Sequence, residues 1–221
     1  MSAAGPPGEP AAGGDGDPRV LSAGEAATLA AVADALDEGA VVALPTDTVY
    51  GLAARLDRPD ATAAVFCAKG RPPGLALPVL VGSWRQARRV AARWPRAASM
   101  LAARFWPGAL TVVVAADPAL GARLGGDGRS VGIRQPDHRF VQQLCRKAGP
   151  LAVTSANRHG EPPCTTAGAV VAAFDGGDVT LVVDGGRCDG EPSTVVDCTV
   201  APPACLREGA IAWSWIEASL R

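Results

Sequence analysis

The chain has 221 residues, is 48% hydrophobic and carries a formal charge of −1, with 21 Lys and Arg against 22 Asp and Glu. That is enough apolar matter for the core of one ordinary domain. So even a balance gives no bulk electrostatic case for nucleic acid or a membrane surface, and no apolar run is long enough to cross a bilayer.

Six cysteines (Cys67, Cys145, Cys164, Cys188, Cys198 and Cys205) show no Cys-x-x-Cys spacing, and no secretory signal precedes them. Reduced thiols and a cytoplasmic location are expected. Residues 1–20 are rich in Ala, Gly, Pro and Asp and read as a disordered leader ahead of a single domain, residues 21–221. Ser22 with Glu25 has the form of a capping box, and Leu29, Val32, Ala33 and Leu36 recur at helical spacing until Gly39.

Val41 to Leu44 is an apolar run that ends at Pro45, and Thr46, Thr48 and the one tyrosine, Tyr50, follow at once. A strand that ends in small hydroxyl residues is expected there. Asp60 reads as the N-cap of a helix through Ala68, stopped at Gly70, with Lys69 and Arg71 on either side of the stop. The chain holds only two lysines, Lys69 and Lys147. A Lys-x-Arg pair offers an anion a point charge and a planar fork. On charge spacing alone a solvated helix end is the favoured account.

Ser83 is expected to cap a helix through Trp94, with Arg85, Arg88, Arg89 and Arg93 mostly on one side; a solvated basic face is the main reading and an RNA-facing surface the minority one. Pro95 to Trp106 reads as a helix halted by Pro107 and Gly108, and Ala109 to Ala115 as a buried strand. Pro118 to Arg129 is glycine-rich and loop-like, and Ser130 to Arg134 is a short strand that ends on arginine. Asp137 is expected to cap a helix through Lys147, broken at Gly149 and Pro150. Leu151 to Val153 then runs into Thr154, Ser155, Ala156 and Asn157. Both LPTDT and LAVTSAN put small polar side chains where an apolar strand surfaces, a common place for ligand groups in α/β sheets. Caps and turns account for either motif equally well. Ala167 to Phe174 reads as a helix, Val179 to Val183, Ser193 to Asp197 and Cys205 to Arg207 as strands, and Trp213 and Trp215 open a C-terminal helix in a packing role.

There is no Walker loop, no Gly-x-Gly-x-x-Gly after a strand and no Gly-x-Ser-x-Gly, and with His138 and His159 alone a metal site or histidine triad is poorly supplied. His159-Gly160-Glu161 with Pro163-Cys164 fails the zinc deaminase pattern, since Ala167 stands where its second cysteine belongs. What remains is Lys69, Arg71, Arg134 and Arg207 with Thr46, Thr48, Ser130, Ser155, Asn157 and Ser193, a set that suits a polyanion. Such a site can promote transfer at phosphorus by positioning and charge neutralisation, with Mg²⁺ normally sharing the work.

PTDTVYGL (Pro45 to Leu52), KGRP (Lys69 to Pro72), WPGALTVV (Trp106 to Val113), SVGIRQPDH (Ser130 to His138), TSAN (Thr154 to Asn157), VVDGG (Val182 to Gly186) and PSTVVD (Pro192 to Asp197) stand in an order and spacing that resemble the YrdC family of threonylcarbamoyl-AMP synthases, across roughly Ala23 to Ile211. The resemblance implies an α/β fold, a twisted mixed sheet flanked by helices around a concave basic cavity. It also implies that L-threonine, bicarbonate or CO₂ and ATP, with Mg²⁺, give threonylcarbamoyl-AMP and pyrophosphate, the first step of tRNA threonylcarbamoyladenosine modification. A separate transferase complex completes that modification. Carried over by motif, Lys69 and Arg71 are the catalytic pair and hold ATP phosphates with Ser155 and Asn157; Ser130 and Arg207 contact the nucleotide; Thr48, Arg134, Val153 and Ser193 contact threonine; no residue is assigned to a metal. Many relatives have Asn-Pro-Leu just after the arginine and then a histidine near the end of the next strand. Here Leu77 precedes Pro78 and Gly82 stands in the histidine's place, so those two contacts are not transferred. A carbamoyl-adenylate enzyme and a non-catalytic RNA-binding protein of the same fold are the rivals.

Overall fold

The computed structural model describes residues 17–188 and 190–220. One mixed sheet is built from β1 (Arg19–Ser22), β2 (Val42–Leu44), β3 (Gly51–Arg55), β4 (Val79–Leu80), β5 (Ala91–Arg93), β6 (Leu110–Ala116), β7 (Ser130–Arg134), β8 (Leu151–Ser155), β9 (Leu181–Asp184), β10 (Thr194–Asp197) and β11 (Ala204–Arg207). Its order is β1-β9-β2-β3-β8-β4-β7-β6-β10-β11, with β5 paired to β6 off that path. The helices are α1 (Thr28–Asp37), α2 (Pro59–Lys69), α3 (Trp84–Val90), α4 (Arg96–Phe105), α5 (Pro118–Leu124), α6 (Arg139–Ala148), α7 (Ala167–Ala173) and α8 (Trp213–Ala218).

Each face of the sheet has its own core. On one side Val32 and Leu36 of α1 and Phe140, Val141 and Leu144 of α6 pack over Val42, Leu44, Leu151 and Val183. On the other, Val65 of α2, Leu101 of α4, Leu124 of α5 and Val170 of α7 pack over Leu52, Val79, Val112, Ile133 and Val196. A sheet buried on both faces explains why its central strands read as continuous apolar runs without polar alternation.

β3 has no counterpart among the elements expected from the sequence. Its residues, Gly-Leu-Ala-Ala-Arg, lack β-branching and carry no strong strand preference. Long-range pairing decides the matter: β3 lies antiparallel to β2, with Leu44 opposite Gly51, and antiparallel to β8, with Gly51 opposite Ser155. The surfacing ends of LPTDT and LAVTSAN are thereby set on either side of one short strand. Gly51 is required at that register, because a Cβ there would stand 2.8 Å from Val153 Cγ1 and 3.3 Å from the Thr154 carbonyl.

Several local expectations are corrected. Residues 1–16 of the expected leader lie outside the described residues, but Arg19 and Val20 belong to β1, parallel to β9 at the sheet's edge. Ser22 closes β1, its hydroxyl accepting from Gly24 N while its carbonyl accepts from Thr28 Oγ1 at 2.7 Å, so α1 starts later than the capping box implied. Asp60 sits in the first turn of α2 and binds Arg58 instead of capping the helix. The helix capped by Ser83 ends at Val90, and residues 91–93 form a strand against β6. Within the supposed loop after Ala116, Asp117 caps α5 through its side chain and Pro118 opens it. His138, not Asp137, is the N-cap position of α6. Trp84, Trp94 and Trp106 form a cluster with centroids 5.0 to 6.3 Å apart, Trp84 meeting the other two edge-to-face and Trp94 tilted against Trp106. Trp215, expected to pack, is 70% exposed, and Ile216 supplies the buried contact of α8.

Gly51→Ala is expected to lower unfolding free energy by about 1–3 kcal/mol through overpacking against β8, read as a fall in the urea midpoint. Gly74→Ala, with open space around its Cβ, should stay within about 0.5 kcal/mol of the parent.

Candidate active site

A cavity of about 620 Å³ opens where β2 and β8 end and β3 begins, and is closed by the loops after α2 and β9. Of the ten residues expected at the site, Thr48, Arg71, Ser130, Arg134, Val153, Ser155, Ser193 and Arg207 line it. Lys69 and Asn157 do not; they stand just behind its wall, buried at 3% and 6% exposure. There the Lys69 ammonium donates to Asn157 Oδ1 and the Ser155 carbonyl, both at 2.7 Å, and lies 3.2 Å from Ser155 Oγ and the Asn157 carbonyl. The Lys-x-Arg loop and the Ser-x-Asn turn, 86 residues apart, are thus one bonded unit. Asn157 spends its amide on the Arg158 and Glu161 carbonyls, and His159 N on the Lys69 carbonyl, which fixes the turn from behind.

Arg71 points at the cavity but is partly spent on its own loop, donating to the carbonyls of Leu75 and Ala76 at 2.9 and 2.8 Å, with Thr154 Oγ1 at 3.4 Å. Arg207 donates to the Ser193 carbonyl at 2.8 Å, and the Ser193 hydroxyl shares a 2.8 Å bond with Thr111. Arg134 is the most buried of the arginines that line the cavity. Its Nε reaches the Gly108 carbonyl, one terminal nitrogen reaches Thr48 Oγ1 at 2.9 Å, and the other Asp47 at 2.6 Å. Thr48 in turn shares a bond with Thr46, whose hydroxyl donates to the Val49 carbonyl. Counting protons, Arg134 keeps one unused N–H on each terminal nitrogen.

Electrostatically the site is an arc of cations. Burial and the Arg71 charge push the Lys69 ammonium down to about 8. Burial and then Arg207 lower Arg71, and burial and then Arg134 lower Arg207. Each repels the next, so a bound polyanion relieves all of them. Tyr50 also lines the cavity. Burial lifts it to about 12, and it donates to the Gly186 carbonyl at 2.7 Å, tying the PTDT loop to the loop after β9. Gly82, in the place of the absent histidine, abuts the backbone of α6: a Cβ there would lie 2.4 Å from the Gln142 carbonyl. No larger side chain fits that position.

Asp47 and Thr111 were missed as parts of the site. A threonine inside the apolar run of β6 is a weak signal for Thr111; only the fold shows which arginine Asp47 meets. Among the described residues no group of three or more His, Cys, Asp or Glu is gathered in the manner of a metal cage.

A family model described as telomere recombination, Sua5/YciO/YrdC, matches residues 34–209. The chain belongs to the Sua5/YciO/YrdC family. Within it, the chain is similar to the threonylcarbamoyl-AMP synthase of Bacillus subtilis, 40% identical over 193 residues, which are 86% of this chain and 56% of that protein. It is also similar to a Mycobacterium tuberculosis protein provisionally named for the same activity, 38% identical over 196 residues, 88% of each chain. The solved structure of P. abyssi Sua5 complexed with L-threonine superposes with a TM-score of 0.82 at 38% identity, over 86% of this chain and 56% of that one. This Sua5/YciO/YrdC chain therefore spans little more than half of the Bacillus and Pyrococcus proteins. No helix among the described residues of this family member is long and apolar enough to cross a membrane.

Because the Lys69 pKa lies near 8 in the folded chain against 10.5 unfolded, the unfolded state binds more protons between those values and stability should rise with pH across that window. A polyanion favours the protonated ammonium. Tripolyphosphate affinity measured by calorimetry is therefore expected to fall as pH climbs through about 8 in the parent, relative to a Lys69→Met chain.

Proposed function

We propose that the chain is an L-threonylcarbamoyladenylate synthase, a nucleotidyltransferase that converts L-threonine, bicarbonate or CO₂ and ATP into threonylcarbamoyl-AMP and pyrophosphate. The observation that carries this reading is the bonding of Lys69 to Ser155 and Asn157 behind a cavity into which Arg71, Arg134 and Arg207 all face. Similarity to the named synthases and to a threonine-bound relative supports it.

In chemical terms the threonine amine adds to CO₂ and loses a proton, giving a carbamate. A carbamate oxygen then bonds to the α-phosphorus while the bridge to the β-phosphorus breaks and pyrophosphate leaves with the electron pair. Both partners in that step are anions, so the protein's task is to hold them together against repulsion. Arg71 and Arg207 are placed to take phosphate oxygens, Lys69 adds charge from behind and fixes the Ser155 hydroxyl at the wall, and Ser130 stands beside them. Arg134, with its two unused N–H groups, suits the threonine carboxylate by a bidentate pair. Thr48, Ser193 and the wall at Val153 complete that end. Mg²⁺ would arrive on ATP and neutralise part of the phosphate charge; the phosphates themselves are its natural holders, since the one acid on the cavity wall among the described residues, Asp127, is engaged with Arg129 N and with the backbone N and hydroxyl of Ser130. The product's onward use in tRNA would fall to a separate transferase.

A second, weaker role in RNA contact is favoured by one observation: Arg85, Arg88, Arg89 and Arg93 are all exposed along α3 and β5, and no ion pair among the described residues includes them. Salt-sensitive binding of tRNA that Arg88→Glu weakens is the expected sign.

Purified protein given ATP, labelled bicarbonate and L-threonine is expected to release pyrophosphate and form a labelled adenylate only when threonine is present. Lys69→Ala and Arg71→Ala should each slow turnover by about a hundredfold or more, the loss typical of one charge-stabilising group. Near-parental turnover in both would overturn the assignment.

A further inference from the structure

The cations of the cavity are not equivalent. All three arginines line one cavity but are anchored on different elements, Arg71 beside Thr154, Arg134 beside Thr48 and Arg207 beside Ser193. Among the described residues Arg71 and Arg207 are bonded only to neutral oxygens: the carbonyls of Leu75, Ala76 and Ser193 and the hydroxyls of Thr154 and Ser193. Among the described residues only Arg134 of the three has a carboxylate partner, Asp47 at 2.6 Å, with the two side chains only 8% and 17% exposed. Asp47 does not line the cavity, while Arg134 and Thr48 do. Burial lowers the pKa of nearby His138 against the opposing pull of the Asp47 and Asp137 charges, and no ion pair joins it to Asp47 among the described residues. Asp127, the acid that does reach the wall, is turned onto the backbone of Arg129 and Ser130 at an exposed rim.

We propose that Asp47 is a positioning and specificity-determining residue that sorts the two substrates: by cancelling the charge of Arg134 it leaves that end electrically balanced for a zwitterionic amino acid and confines polyphosphate to the Arg71 and Arg207 end. The inference rests on the synthase reading for the identity of the amino acid. The physics is local. A neutral ion pair with two free N–H groups still directs a carboxylate, because hydrogen-bond geometry survives charge cancellation. It no longer attracts a multiply charged phosphate over distance, because the net monopole is gone. The same pair locks the guanidinium plane, since Gly108, Thr48 and Asp47 take one N–H from each of its three nitrogens.

The test is calorimetric titration of L-threonine and of inorganic pyrophosphate into the parent, Asp47→Asn and Asp47→Glu proteins, with thermal unfolding followed for each. In Asp47→Asn, threonine affinity should fall about tenfold to a hundredfold, the worth of one charged hydrogen bond. Pyrophosphate should bind about threefold to tenfold more tightly, with a steeper salt dependence, because an uncompensated cation now faces it. Asp47→Glu keeps the charge but turns the fork, so threonine should weaken while pyrophosphate stays at the parental value. Equal weakening of both ligands in either variant marks a merely structural residue and overturns the proposal, as does unchanged pyrophosphate affinity in Asp47→Asn. If the Asn chain does not fold, the Glu chain decides alone. A parent that binds pyrophosphate but no threonine refutes the synthase reading, and the pyrophosphate response of Asp47→Asn still judges the charge sorting.

Discussion

The cavity depends on a five-residue strand held between two partners. β3 bonds to β2 on one side and β8 on the other, and its first residue, Gly51, lies opposite both Leu44 and Ser155. Backbone ladder bonds leave little freedom in register where both faces are buried, because a one-residue slip would turn every side chain to the opposite face. The loops that leave β2 and β8 are therefore delivered to one place. Tyr50 N and O extend the contact by bonding to the Cys164 carbonyl and to Ala156 N.

On that frame the chemistry is sorted by depth. A buried ammonium, Lys69, binds the Ser-x-Asn turn from behind; its bonds fix geometry while its charge reaches the cavity through low-dielectric surroundings. In front stand arginines whose forks are held by backbone carbonyls, leaving part of each guanidinium for a ligand. Burying cations and then setting them near one another costs stability, and both effects lower the pKa values of Lys69, Arg71 and Arg207. A binding site for an anion stores that cost until the anion arrives. Asp47 tempers it at one end only.

Much of this was legible in the sequence, for identifiable reasons. Strands β6, β7, β8 and β10 were found because buried β-branched runs have few alternative readings. α4 and α7 were found because glycine or proline bounds an apolar repeat. The misses follow from the same physics. β3 is short, poor in β-branched residues and stabilised by neighbours distant in sequence. α5 was hidden by the glycines around it, although Asp117-Pro118 is a fair start signal. β5 follows α3 with no breaker between them, so helical spacing ran on past Val90.

The sequence by itself determined which chemical groups the protein can bring to a ligand, and that hydroxyl and amide side chains sit where strands surface, because both are properties of short segments. It also carried the motif order that assigns the family. Tertiary structure alone decided that Lys69 and Asn157 stand behind the wall and not in it, that α6 fills the space beside Gly82, and that Asp47 meets Arg134, 87 residues away. Contacts between segments so far apart are set by sheet pairing and burial across the whole chain, and neither leaves a mark in the local run of residues.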